Sequence, residues 1–203
     1  MAILIIISIA GSAYFYNSLP QIVPIHWNAL GVADGFGPKE FNLFFIPAIE
    51  ILLSLLFIVI PRIEPKKKNL NSFALYYYTF SVLLIAFFTY IHYLILISST
   101  GISVNITLLI GPALGVVIFY IGVMMKHAKQ NYLVGIRTPW TLASEKVWNK
   151  THQKGSILFK ISGLIAFLGL FLPSYAIWLV IVPILVSAFW TIIYSYVEYS
   201  HEK

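Results

Sequence analysis

Three places in this chain hold side chains that could do chemistry. The first is the stretch containing His26, Trp27, Asn28 and Asp34. An imidazole and a carboxylate could share a metal ion, but two ligands do not make a site. Gly31, Gly35, Gly37, Pro24 and Pro38 surround them, so the stretch reads as turn-rich, with Asn28 and Asp34 capping their own backbone. It is expected to be a folded lid or a recognition surface, with Trp27 at the membrane interface. The second place holds Arg137, Trp140, Trp148 and His152. The guanidinium of Arg137 suits a carboxylate or a phosphate. Glu145 is its natural internal partner, and lipid phosphate is the next candidate. Trp148 and His152 would share one helix face, which fits packing better than catalysis. The third place is intramembrane: Glu50 and His92 sit inside long apolar runs. A charged carboxylate at that depth costs about 2.5–3.5 kcal/mol on insertion scales. Glu50 must therefore be protonated or paired, and a Glu50–His92 contact is geometrically open.

Other chemistry is excluded by what the sequence lacks. There are no cysteines, hence no disulfides, thiol nucleophiles or thiolate metal sites. Phosphate-cradling, zinc-protease and serine-elbow motifs are absent. The single aspartate, Asp34, rules out a paired-aspartate intramembrane protease. No catalytic residue, metal or cofactor is expected.

Those residues need elements to hold them. The chain has 203 residues, 60% hydrophobic and only 10% charged. Apolar runs cover about 2–19, 41–60, 73–98, 107–125, 157–172 and 175–197. A helix needs roughly 20 apolar residues to cross ~30 Å of hydrocarbon. The expected fold is all-α: one polytopic membrane bundle of six helices over residues 1–203. Ala10-Gly11-Ser12-Ala13 could pass for a cleavage site. No cation precedes the apolar run and the run continues past it, so it is read as a retained span. Twelve of the thirteen Lys and Arg residues then fall on one side, and only Lys39 on the other. Cations resist translocation, so both termini and the 126–156 loop are expected in the cytoplasm and the 20–40 loop outside. The net charge of +6 is topogenic and attracts anionic lipid; it is not a sign of nucleic-acid binding.

Finer features follow. Pro20 and Pro61 should close the first two spans. Gly111 and Gly115 have the small-residue spacing that lets helices approach in lipid. Thr138-Pro139 suits a helix start. From there Trp140, Ser144, Val147, Trp148 and Thr151 share a face, with Lys146, Lys150 and Lys154 beside it. That pattern predicts a short helix lying in the headgroup layer.

The two loops carry a resemblance. Leu19, Pro20, Val23, Pro24, His26, Trp27, Asn28, Gly31, Asp34, Phe36 and Lys39 match the first element of the SdpI family. Asn131, Gly135, Arg137, Thr138, Trp140, Thr141, Leu142, Ser144, Trp148, Thr151 and His152 match its second. The resemblance implies a cell-membrane protein giving immunity to a secreted peptide toxin, non-enzymatic, with six helices. It also implies that the chain could pass a signal to a cytosolic transcriptional repressor. On that reading His26, Trp27, Asn28 and Asp34 contact toxin. Arg137, Trp140, Trp148 and His152 stabilise the inner face or dock a partner, and Glu50 couples the two. A small ion- or proton-coupled transporter is the rival expectation. A membrane enzyme using His26 or His152 as base is the third.

Overall fold

Backbone in hydrocarbon must satisfy its own hydrogen bonds, and the apolar runs of this chain do so as helices. A computed structural model describes residues 1–202. Helix α1 covers Ala2–Phe15. Strands β1 (Ile22–Trp27) and β2 (Ala33–Pro38) follow. Then come α2 (Lys39–Ile63), α3 (Lys67–Ser72), α4 (Ala74–Ser99) and α5 (Ile106–His127). The chain ends with α6 (Pro139–Ala143), α7 (Glu145–Ala166) and α8 (Ala176–Ser200). The fold is helical as expected, and the turn-rich stretch 20–40 adds one small two-stranded hairpin.

Among the described residues, five helices are long and apolar enough to cross a membrane: α2, α4, α5, α7 with the short 3-10 turn after it, and α8 with the turn before it. The first is shorter. At 1.5 Å per residue, the 14 residues of α1 reach about 21 Å. Its ends nonetheless meet both ends of the bundle. Met1 packs against the cluster of Phe57, Tyr77 and Trp148. Phe15 packs against Leu19, Val23, Leu43 and Leu96. Pro61 does not end the second helix, which runs on to Ile63; one missing backbone donor near a helix end is easily tolerated.

The long helices form two groups of three. One comprises α1, α2 and α4, the other α5, α7 and α8, and α4 against α5 is the joint. The closest pairing is α5 with α7, and small residues explain it. A Cβ on Gly163 would stand 2.5 Å from the Gly115 carbonyl oxygen. A Cβ on Gly122 would stand 2.6 Å from that of Ser156. The backbones touch there, as small residues permit in lipid. Gly111 plays a lesser part, with nothing nearer than 3.8 Å.

The hairpin docks on one end of the bundle. Val23 is fully buried between Leu19, Leu43 and Leu96. Asn42, in the first turns of α2, donates to Pro24 O at 2.8 Å and to Ser99 Oγ at 3.0 Å. Most of the cations lie at the opposite, basic end. The two ends are named hairpin end and basic end below.

Candidate functional site

At the hairpin end, β1 and β2 pair antiparallel, from Ile22 opposite Pro38 to Trp27 opposite Ala33. The register slips beside Ile25, and His26 comes to face Gly35. Such an extra residue bends the strand and re-aims its side chains. His26 Nδ1 lies 2.5 Å from Asp34 Oδ1, both side chains well exposed. Among the described residues no three His, Cys, Asp or Glu gather as a metal cluster would require. Asn28 is turned inward on the backbone. Its Oδ1 accepts from Leu30 N at 2.9 Å and Val32 N at 3.1 Å, and its carbonyl accepts from Thr107 Oγ1 at 3.0 Å. The structure thus joins His26 to Asp34, sets His26 and Trp27 on one groove, and makes Asn28 the post that holds the turn.

Beneath that face runs a groove of about 350 Å³. His26 and Trp27 form its mouth, and its walls come from α4 (Ile91, Ile95), α5 (Ile110, Leu114) and α8 (Ile177, Val180). Aliphatic walls with a single aromatic and an imidazole at the rim suit an apolar side chain or chain segment.

At the basic end the second element folds around buried polar atoms. Thr138 caps α6 and forms a reciprocal capping box with Thr141. Ser144 is extended and caps a new helix through Val147 N at 3.2 Å. The expected single helix from Thr138 is therefore two, and the second, α7, continues without a break through the apolar run to Ala166. This corrects the headgroup-layer reading. Trp148 is fully buried, its indole donating to Ala128 O at 2.9 Å. Lys150 pairs with Glu198 at 2.6 Å and Lys146 lies 3.7 Å from Glu202, so the start of α7 is tied to the end of α8.

His152 stacks on Trp148 and uses both ring nitrogens. Nε2 receives the Ile136 backbone N–H at 3.0 Å, so the ring proton sits on Nδ1, which lies 2.9 Å from Trp148 O. No nitrogen is left to act as a base. The neighbouring Gly135 has φ 117°, and a Cβ there would stand 2.5 Å from His152 Nε2. Trp140 is half-buried against Tyr196, ring centres 5.1 Å apart. Arg137 is exposed and donates one N–H to Tyr132 O at 2.9 Å. Among the described residues it forms no ion pair with Glu145, which corrects that expectation; Glu145 instead sits in the first turn of α7, where a carboxylate suits the helix dipole.

Sequence reasoning missed two residues here. Glu64 is fully buried, and its carboxylate accepts from Tyr132 N at 3.1 Å and Lys66 N at 2.8 Å. Gln130 donates to Thr141 O at 2.8 Å and Leu142 O at 3.1 Å, accepts from Lys66 Nζ, and takes Asn69 on its carbonyl. Together they fasten the α2–α4 connection to the loop before α6. The only signal in the sequence was their place in polar loops.

Between the two ends, α1, α2 and α4 share a polar seam. Glu50 Oε1 stands 2.9 Å from Ser8 Oγ and 2.7 Å from Thr89 Oγ1. One turn nearer the hairpin, His92 Nε2 stands 2.9 Å from Ser12 Oγ. Glu50 and His92 are both fully buried. Among the described residues no direct bond joins them; serines of α1 stand beside each.

Comparison with known proteins agrees with the two loops. The model of the SdpI/YfhL protein family matches residues 127–195. A second family model, described as a domain of unknown function (DUF1648), matches residues 3–51. The chain is 30% identical to "Immunity protein SdpI" of Bacillus subtilis (strain 168) over 198 residues, which is 97% of this chain and 93% of that protein. No solved structure matches it. With several apolar helices and identity along nearly its whole length, this membrane protein belongs to the SdpI/YfhL family.

Proposed function

We propose that the chain protects its cell membrane against a secreted peptide toxin, and that the groove under the hairpin is where the toxin is held. The near full-length likeness to an immunity protein carries this reading. The groove gives it a place: aliphatic walls from three helices, with Trp27 and His26 at the rim. Aromatic anchors over a desolvated pocket are what peptide recognition uses. We place the hairpin outside and both termini in the cytoplasm, as six spans. The charge asymmetry supports this, and so do the two ends of α1, which reach the clusters at both ends of the bundle. The role is binding rather than catalysis, in keeping with a His152 whose two nitrogens are both engaged.

Expression in toxin-sensitive cells tests the reading. Survival should rise with the amount of protein in the membrane. Unchanged survival with the protein present there would end the immunity proposal.

A signalling role rests on the basic end. Arg137 is exposed with most of its donors free, and Lys67, Lys68, Lys126 and Lys129 are exposed and form no salt bridge among the described residues. This is a surface for the acidic face of a cytosolic regulator, such as a transcriptional repressor. Arg137→Ala should abolish capture of the repressor at the membrane and leave protection intact. Equal loss of both would assign Arg137 to the fold instead.

A further inference from the structure

The polar seam between α1, α2 and α4 holds more than packing requires. Among the described residues, four buried side-chain atoms have no hydrogen-bond partner within the chain. Three of them, Glu50 Oε2, Ser54 Oγ and His92 Nδ1, lie in this seam. Buried polar atoms are nearly always paired, so these three have hydrogen-bonding capacity that the chain itself leaves unused.

Hydrogen counting identifies that ligand. Thr89 has one hydroxyl hydrogen and two acceptors in reach, Glu50 Oε1 at 2.7 Å and Ile85 O at 3.1 Å. With an ionised Glu50, only one of these contacts can be a hydrogen bond. With a proton on Glu50, the acid donates to Thr89, Thr89 donates to Ile85 O, and Ser8 completes the set. No Lys, Arg or His lies within ion-pair distance of Glu50 among the described residues, so nothing on the chain balances a negative charge there. The adjoining His92 shows the complementary state. Ser12 Oγ stands 2.5 Å from Leu43 O and gives its hydrogen to that carbonyl. Its oxygen therefore accepts from His92 Nε2–H, leaving Nδ1 as a lone pair with no donor among the described residues.

We propose that Glu50 is a proton-binding site inside the membrane, loaded and unloaded from the hairpin end through His92. The order of polar groups along the helices fits. Asn42 and Ser99 stand under the hairpin, Ser12 and His92 come next, and Ser8, Thr89 and Glu50 lie at mid-depth. The outer step, from Ser99 to His92, is about two helical turns, and the inner step, from His92 to Thr89 and from Ser12 to Ser8, about one. The proton moves from Nδ1 of a transiently protonated His92 to the Glu50 carboxylate, so no other reactant is needed. Few groups compete. On α4 the other titratable neighbours are Tyr93, whose hydroxyl bonds Ile7 O at 2.9 Å, and Tyr77, whose hydroxyl bonds Phe57 O at 3.1 Å. On α2 the remaining charges, Lys39, Glu40 and Arg62, stand at the helix ends. On α1 the amino group of Met1 is two turns, about 10 Å, from Ser8.

Infrared spectroscopy of the full chain in lipid nanodiscs tests this. The C=O stretch of a protonated carboxylic acid should be present at neutral pH, shift down in D2O, and vanish in Glu50→Gln, which keeps the shape and the hydroxyl contacts. In His92→Gln, which retains a donor for Ser12 but has no basic nitrogen, the band should remain while its shift in D2O slows at least tenfold. Circular dichroism on each variant reports that the helices are intact. A native protein without the band overturns the proposal. A band that appears only when sodium is replaced by choline does too, because it assigns the site to a metal ion. Equal exchange rates in native protein and His92→Gln overturn the role of His92.

Discussion

His152 lies flat on Trp148, ring centres 3.9 Å apart and planes 18° from parallel. Both rings are buried, and the imidazole reaches past the indole to hold the backbone N–H of Ile136. The contact fixes the path of the chain between Gly135 and Thr138, and so decides where Arg137 emerges.

Gly135→Ala should damage this corner twice over. Its backbone has φ 117°, and the added methyl would meet His152 Nε2. Left-handed backbone costs a non-glycine residue roughly 1–2 kcal/mol, and displacing the imidazole leaves the Ile136 N–H unpaired, at about 1–3 kcal/mol more. Thermal unfolding in detergent should show a clear fall in Tm. His152→Phe should keep the stack and lose only the second part.

Glu64→Ala should destabilise the protein by about 1–3 kcal/mol for each backbone donor left without an acceptor. Tyr132 N and Lys66 N both depend on that carboxylate. Glu64→Gln retains one acceptor oxygen and should recover part of the loss. Limited proteolysis between residues 126 and 138 offers a direct reading: Glu64→Ala should be cut faster than native protein, and Glu64→Gln at an intermediate rate.

Gly163→Ala and Gly111→Ala form a matched pair. The first forces a methyl against the backbone of α5, and overpacking of that kind costs about 1–3 kcal/mol. The second meets ordinary contact distances and should be nearly neutral. Comparable stability of the two variants would mean that α5 and α7 do not touch at Gly163.

The groove itself can be filled. Ile110→Trp should block it and lower protection with little change in stability, because it adds apolar bulk to an open cleft. Trp27→Ala should weaken toxin binding by about 2 kcal/mol or more if the indole is an anchor. Dose–survival curves, read with membrane levels of each variant, separate lost binding from lost protein.

Sidedness is open to a direct measurement, because the chain has no cysteine of its own. Single substitutions Phe36→Cys and Lys129→Cys place one thiol at each end, both at exposed positions. An impermeant maleimide added to whole cells should label the first and spare the second until the membrane is opened.

Much of this architecture was legible in the sequence, for local reasons. Long apolar runs leave the backbone no choice but helix, and the residues at 19–39 and 131–152 stood out by type. Glu50 was conspicuous because a carboxylate there has no solvent. What the sequence hid was distance. Glu64, flanked by Arg62 and the Lys66–Lys68 run, looks like a solvated loop residue; in the fold it is buried and takes the backbone N–H of Tyr132, from another loop. One unbroken helix from Thr138 would put Trp148 on an interfacial face, but Ser144 is extended and restarts the helix. The α5–α7 contact uses Gly115 and Gly122 facing Gly163 and Ser156, two pairs seven residues apart, so a search for spacing four catches only one member.

Lys39 is almost entirely buried; its ammonium bonds Tyr16 O at 2.7 Å and lies over the Tyr16 ring. Among the described residues it is the sole Lys or Arg at the hairpin end, and it faces inward. Asp34 and Glu40, by contrast, are exposed. Whatever drifts toward that surface therefore meets a mildly negative, aromatic-rimmed doorway with no competing ammonium, a field that draws cationic amphiphiles in and turns anionic ones away.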